Sequence, residues 1–345
     1  MSEEKLISQL NDQKRKVDFN TYDLSVKELI SMIGDKLIDI APEYQRQFRW
    51  KEVRQSTLVE SIFLGIPLPS LFMATNSDGT WELIDGLQRL SSIVHFAGNE
   101  REHKIMKMNE PLILEGLQKL THFNAKAFLG LPKTTQLDFL LKPVKVTTLS
   151  DKSDKNVRFD LFERLNTGGI RLTDQEIRSC IYRGKFNDTL KELAKNKNFL
   201  KCVKLSQDHS DDGTKEELVL RFFAFFYKYK EFDHSVIDFL NNFMKDASSS
   251  FAYDKNIKIF EEAFEHLAKI PKGITRGRAS TPINLFEAVA VGAALCLKKS
   301  GKIKVANASN WITNDELKKL TTGATNSNKM VVGRIDYCLK KFQGR

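Results

Sequence analysis

Asp85, Gly86, Gln88 and Arg89 place a carboxylate, a glycine, an amide and a guanidinium within five consecutive positions. Residues 81–84 read as the end of a strand, and Asp85-Gly86 as a tight turn. Leu87, Leu90, Ile93, Val94 and Phe96 then follow a helical apolar stripe. The predicted order is strand, turn, helix. A glycine there lets a ligand approach the backbone, and the first helical N–H groups lack intrahelical partners and favour an anion. Arg89 falls in the first turn and can add a bidentate guanidinium. This is phosphate-binding chemistry. The competing reading is a plain connection in which Asp85 caps the helix and Arg89 is solvated.

Two further clusters carry usable groups. Pro42 blocks a helix ahead of Tyr44, Gln45 and Arg46, so that segment is extended or turned. Arg46 and Arg49 alternate with Tyr44, Phe48 and Trp50, which suits stacking on a base or gripping a phosphate, and equally suits an aromatic anchor with snorkelling arginines. The second cluster is the corner Asn166-Thr167-Gly168-Gly169, between a helix carrying Val157, Leu161, Phe162 and Leu165 and a new helix. The new helix should start at Thr173, with Glu176 as its capping-box partner. Asn166 and Thr167 can present polar atoms to a neighbouring ligand, although a plain packed corner is the commoner outcome.

The elements that must position these residues are partly legible. Ser25 with Glu28 predicts a helix over residues 26–34. Residues 36–40 read as a strand, residues 56–64 as the end of an amphipathic helix stopped at Gly65, and residues 71–75 with 81–84 as a hairpin turning at 76–79. Residues 99–107 read as a loop or edge strand, 121–131 as a small hairpin or short helical turn, and 143–149 as a strand. Helix signals dominate from Asp151. Thr214 with Glu217 should cap a core helix bearing Phe222, Phe223, Phe225 and Phe226, and Thr313 with Glu316 another. Residues 232–244, 257–270, 283–299 and 331–342 read as further helices. Lys272, Arg276 and Arg278, interleaved with Gly273 and Gly277, form either a phosphate-facing loop or a solvated connection.

A chain of 345 residues, 41% hydrophobic, buries a large core as one large or two ordinary domains. Its 54 Lys and Arg against 44 Asp and Glu give a formal +10, suited to a polyanionic partner and also to solubility. Cys180, Cys202, Cys296 and Cys338 form no CxxC pair and read as buried thiols, consistent with a cytoplasmic setting. No apolar run reaches the roughly 18 residues of a membrane helix, so no membrane contact is expected. The six histidines show no HExxH or zinc spacing, and GxSxG and Walker A motifs are absent. Hydrolytic DNA cleavage by this chain alone is unsupported.

Four landmarks in order carry a resemblance. They are Pro42-x-Tyr44-Gln45-Arg46 with Phe48 and Trp50, the step Ile66-Pro67-Leu68-Pro69, the motif Ile84-Asp85-Gly86-Leu87-Gln88-Arg89-Leu90, and the corner Phe162-x-x-Leu165-Asn166-Thr167-Gly168-Gly169-x-x-Leu172. Together they resemble the ParB/sulfiredoxin-like domain family of GmrSD-type restriction and phage-defence proteins, over roughly residues 20–180. The resemblance implies an α+β fold, a small mixed α/β N-terminal domain followed by a mainly α-helical domain. The expected divisions are an arm over 1–20, a nucleotide-binding domain over 21–150 and a helical domain over 151–345. It implies binding of a nucleoside triphosphate (NTP) with Mg²⁺, with hydrolysis coupled to defence against foreign DNA. Carried over position by position, Asp85, Gln88 and Arg89 take the catalytic places, while Tyr44, Gln45, Arg46, Gly86, Asn166 and Thr167 take the binding places. DNA and a partner nuclease or defence protein are the implied contacts, and the oligomeric state is open. Leu87 departs from the family's usual glutamine and cannot hydrogen-bond a nucleotide or position water, so turnover is the weaker expectation. The second departure is architectural: nothing after residue 200 supplies an HNH nuclease motif. A DNA-binding module without nucleotide turnover and an inert scaffold are the rival readings.

Overall fold

The structure, a computed structural model, describes residues 3–14, 18–40, 50–76, 78–150, 159, 161, 164, 173–205, 212–276, 280–323 and 325–345. The chain divides into two compact units, Met1–Arg171 and Leu172–Arg345. The fold class expected from the sequence is the one found, a mixed α/β unit followed by a helical one.

The first unit is built on a five-stranded sheet of order β1-β5-β3-β4-β2. The strands are β1 Phe19–Ser25, β2 Ile38–Asp39, β3 Leu71–Thr75, β4 Trp81–Asp85 and β5 Pro143–Leu149. β5 pairs antiparallel with β1 and parallel with β3; β4 pairs antiparallel with β3 and parallel with β2. Val144, Val146 and Thr148 alternate inward along β5, as a half-buried strand requires. The β3–β4 hairpin closes at Gly79, whose φ of 84° needs a residue without a side chain.

Ser25 ends β1 and starts the helix Val26–Gly34, its hydroxyl accepting from the Glu28 N–H at 3.1 Å. The helix Glu52–Phe63 ends with Gly65 at φ 70°, and buries Leu58, Val59 and Ile62. Its Phe63 ring lies 4.8 Å from Phe139, which also meets Phe96 at 5.2 Å. These rings clamp together the helices Glu52–Phe63, Leu87–Ala97 and Lys133–Leu141. Phe96 and Phe139 are fully buried and each contributes about 1.5–3 kcal/mol through burial, which fixes the helix that carries Gln88 and Arg89.

One segment differs from the sequence reading. Residues 99–107 hold the helix Glu100–Met106, started by a capping box between Asn99 and Glu102. The box outweighs the polar composition. Lys133–Leu141 is a further helix on which only Gln136 and Phe139 are buried. Residues 121–131 contain two single 3₁₀ turns, Thr121–Phe123 and Phe128–Gly130.

The second unit is all-helical among its described residues. Thr173 and Glu176 form the expected capping box of Asp174–Ile181. Thr214 does not cap its helix, because Gly213 in the left-handed region takes that place and Glu217 turns inward to Arg178 and Arg221. The start attributed to Thr313 belongs to Asn314, whose side chain accepts from the Leu317 N–H. Phe222, Phe223, Phe225 and Phe226 of Thr214–Lys228 are core residues, with Phe222 5.2 Å from Phe260. All four cysteines are buried thiols.

A buried ionic network crosses this unit. Arg178 meets Glu217 at 3.0 Å, Arg221 joins Glu217 at 2.7 Å and Glu287 at 2.7 Å, and Glu287 pairs with Arg334. Gly292 lets the helices Ile283–Ser300 and Asn328–Gln343 approach at backbone contact, since a Cβ there would lie 2.7 Å from Cys338 Cβ.

Candidate functional site

β4 and the helix Leu87–Ala97 are joined by Gly86 alone. Its φ of 106° is left-handed, and a Cβ would lie 2.4 Å from Leu71 Cδ2 and 3.3 Å from Arg89 Nη2. Glycine is therefore required on both conformational and steric grounds. Gly86 occupies the N-cap and no side chain caps the turn, so Asp85 does not cap the helix. The first helical bond runs from the Leu90 N–H to the Gly86 carbonyl, leaving the Leu87 and Arg89 N–H groups without an intrahelical acceptor. The result is a side-chain-free helix N-terminus, whose dipole and N–H groups favour an anion.

Asp85 turns to Arg89 instead. Arg89 Nη2 donates to Asp85 Oδ2 at 2.6 Å, and Nη1 donates to the Pro69 carbonyl at 2.5 Å. The guanidinium is thus held beside Gly86 rather than solvated. Leu87 packs inward, nearly buried, so at that position only its backbone faces outward chemistry.

Gln88 reaches the neighbouring helix. Its Oε1 accepts from the Trp50 N–H at 3.1 Å, and the Trp50 carbonyl accepts from Gln55 Nε2 at 2.8 Å. Gln55 Oε1 lies 2.8 Å from His95 Nδ1, and His95 Nε2 is 2.6 Å from the Glu110 carbonyl. Burial pushes the His95 imidazole below its ordinary value. His95 is thereby a packing residue of the same helix. Arg54 stacks over the Trp50 ring at 4.3 Å. An open cleft of about 640 Å³, lined by Trp50, Lys51, Arg54, Thr57 and Ser61 among others, begins at this point.

The structure thus brings Asp85, Gly86, Gln88 and Arg89 together and adds Pro69, Leu71, Trp50 and Gln55, which the sequence reading did not place at the motif. The Ile66-Pro67-Leu68-Pro69 step was the available signal for Pro69. Tyr44, Gln45, Arg46, Asn166 and Thr167 lie outside the described residues. Arg276 does not face outward from its loop, since it donates to the Ile312 carbonyl and the Thr321 hydroxyl; Gly277 and Arg278 lie outside the described residues. Among the described residues no three His, Cys, Asp or Glu side chains converge as metal ligands, and no helix is long and apolar enough to cross a membrane.

A mixed sheet, a strand–glycine–helix junction with its own arginine, and a helical continuation define an α+β unit followed by a helical region. Residues 26–183 match the family model of the GmrSD restriction endonuclease N-terminal domain. Among solved structures it is similar to one of a Pnob8-like ParB-N domain, at 13% identity over 95% of this chain and 97% of that one, with a TM-score of 0.22. No curated protein matches the chain.

Proposed function

We propose that this chain binds a nucleoside triphosphate at the Gly86–Arg89 junction and acts as a nucleotide-responsive component of a restriction or phage-defence system, with DNA and a partner nuclease as its macromolecular contacts. The observation that carries the reading is Gly86. A left-handed glycine removes the side chain from an uncapped helix N-terminus and sets the Arg89 guanidinium beside it. The Leu87 and Arg89 N–H groups would donate to phosphate oxygens, and Arg89 would add charge-assisted bonds. Asp85 orients Arg89, and Gln88 holds Trp50, which lines an adjacent open cleft on the helix Glu52–Phe63. Asp85 is the motif's one carboxylate and is ion-paired, so Mg²⁺ would be held chiefly by phosphate oxygens, whose charge it neutralises. With Leu87 apolar and packed inward, binding is the main claim and turnover a secondary one.

One observation favours a structural role: the clamp from Arg89 to Asp85 and Pro69 would stabilise the junction without any ligand. Thermal-shift titration of the four NTPs with and without Mg²⁺, followed by phosphate release for any nucleotide that binds, separates the two. A ligand specific for the native state raises its apparent stability.

A further inference from the structure

The helices Ile283–Ser300 and Asn328–Gln343 run parallel, because Glu287 pairs with Arg334, Gly292 faces Cys338, and the Lys304 N–H donates to the Phe342 carbonyl. Both therefore finish at the same end of the second unit. Thr214–Lys228 does not add a third end, since the turn that follows it accepts from Asn328 Nδ2 at the start of Asn328–Gln343; Lys298 nonetheless reaches over its Phe226 ring at 5.1 Å. The segments that form this end, residues 297–307 and 337–345, contain Lys298, Lys299, Lys302, Lys304, Lys340, Lys341 and Arg345 and no Asp or Glu. All but Lys341 are exposed, and none of the seven forms an ion pair among the described residues.

Helix dipoles account for part of this pattern, since cations in a last turn are stabilised by the negative helix end. Two converging C-termini amount to only about −1 elementary charge, against seven cations, and Lys302, Lys304 and Arg345 lie beyond the helices. The face keeps a large positive excess. Trp311, 5.0 Å from Phe342, and Tyr337, capped by Lys341 at 5.3 Å, place aromatic rings beside the cations, with the Glu316 carboxylate at the Tyr337 hydroxyl as the acidic margin of the face.

We infer that this end of the second unit is a docking surface for the phosphate backbone of a nucleic-acid duplex. Packed helices stand about 8–10 Å apart, a spacing within the range of duplex groove widths, about 6–12 Å. The lysine pairs at the two helix ends can therefore engage phosphates of both strands. A lipid surface fits less well, because membrane docking needs an apolar anchor beside the charge. Of the large exposed hydrophobic residues in this unit, Tyr227 is the one next to the patch. The surface stands on the second unit alone and is independent of nucleotide binding at Gly86.

The test is fluorescence anisotropy of the full chain with a labelled 30-base-pair DNA duplex across a salt series. It compares the wild type, the triple variant Lys299→Ala/Lys302→Ala/Lys340→Ala, and a charge-matched control, Lys27→Ala/Lys104→Ala/Lys145→Ala. Thermal midpoints verify that all three fold. The expected result is sequence-independent binding whose log K falls with log salt. The patch variant should show a slope shallower by about 2.7 and an affinity reduced more than about tenfold at 0.1 M salt, with the control close to wild type. Equal losses in the two variants, an unchanged slope, or a wild type that binds phosphatidylserine vesicles but not the duplex would each overturn the assignment.

Discussion

Arg89 and Asp85 form an ion pair at 2.6 Å across one helical turn, with the guanidinium also donating to the Pro69 carbonyl. The pair pre-places the arginine beside Gly86 and at the same time sets a carboxylate against any incoming phosphate. Removing that carboxylate charge relieves a repulsion of about 0.7 kcal/mol for unit charges 6 Å apart in a water-like dielectric. Asp85→Asn should therefore bind nucleotide roughly threefold more tightly, while any phosphate release slows because Arg89 is less well oriented. Calorimetric titration and a phosphate assay on the same preparation check both directions.

Gly86 admits no side chain. Gly86→Ala places a methyl group against the buried Leu71 and forces an alanine to a φ near 106°. A destabilisation of about 1–3 kcal/mol is expected from the backbone term alone, visible as a lower thermal midpoint. The same variant should lose nucleotide binding, since the methyl also crowds Arg89 Nη2.

Gln88 should matter as an acceptor before it matters as an amide. Its Oε1 satisfies the Trp50 N–H at the start of the helix Glu52–Phe63, whose N-cap Lys51 makes no side-chain cap. Gln88→Ala leaves that donor without its acceptor, at a cost on the order of 1–3 kcal/mol, and the Trp50 amide should exchange faster in hydrogen-exchange NMR. Gln88→Glu keeps an acceptor and should keep the protection.

How much of this was readable in the sequence follows from where the partners come from. Ser25 with Glu28, the Gly79 hairpin, Gly65 as a helix stop and the strand–Gly86–helix junction are local signals, each settled within a few residues. Arg89 finds Pro69 at a separation of 20 residues and Gln88 finds Trp50 at 38, and neither contact has a sequence period. The Asn99–Glu102 box was present but sits in a polar stretch where a loop competes. Arg276 was read as outward-facing because its loop is basic and glycine-rich, yet the Ile312 carbonyl and Thr321 hydroxyl draw it inward. Thr214 lost its capping role because Glu217 has two arginines to neutralise.

Those arginines give the second unit an acid-sensitive core. Burial would raise the Glu217 carboxyl, but Arg221 and Arg178 outweigh it and hold the group below its ordinary value of 4.5. On acidification through 4.5 the unfolded chain takes up a proton that the folded chain refuses, so the stability this group contributes is present above that pH. It is lost as pH falls through the lower folded value. Glu217→Gln should flatten the decline in stability below about pH 4.5. At neutral pH it should cost about 3–5 kcal/mol, because Arg178 and Arg221 keep their charge with one counter-ion fewer. Urea unfolding across a pH series measures both.

The central claim is that the Gly86–Arg89 junction holds a triphosphate, and thermal-shift titration of wild type, Arg89→Lys and Arg89→Ala against the four NTPs with Mg²⁺ tests it most directly. Arg89→Lys retains a cation but loses the planar fork. The account predicts a concentration-dependent rise in the wild-type midpoint with at least one NTP, a smaller rise for Arg89→Lys, and none for Arg89→Ala in protein that still melts cooperatively. A folded Arg89→Ala protein with the wild-type nucleotide response, or a wild type unmoved by all four NTPs at millimolar concentration, would contradict it.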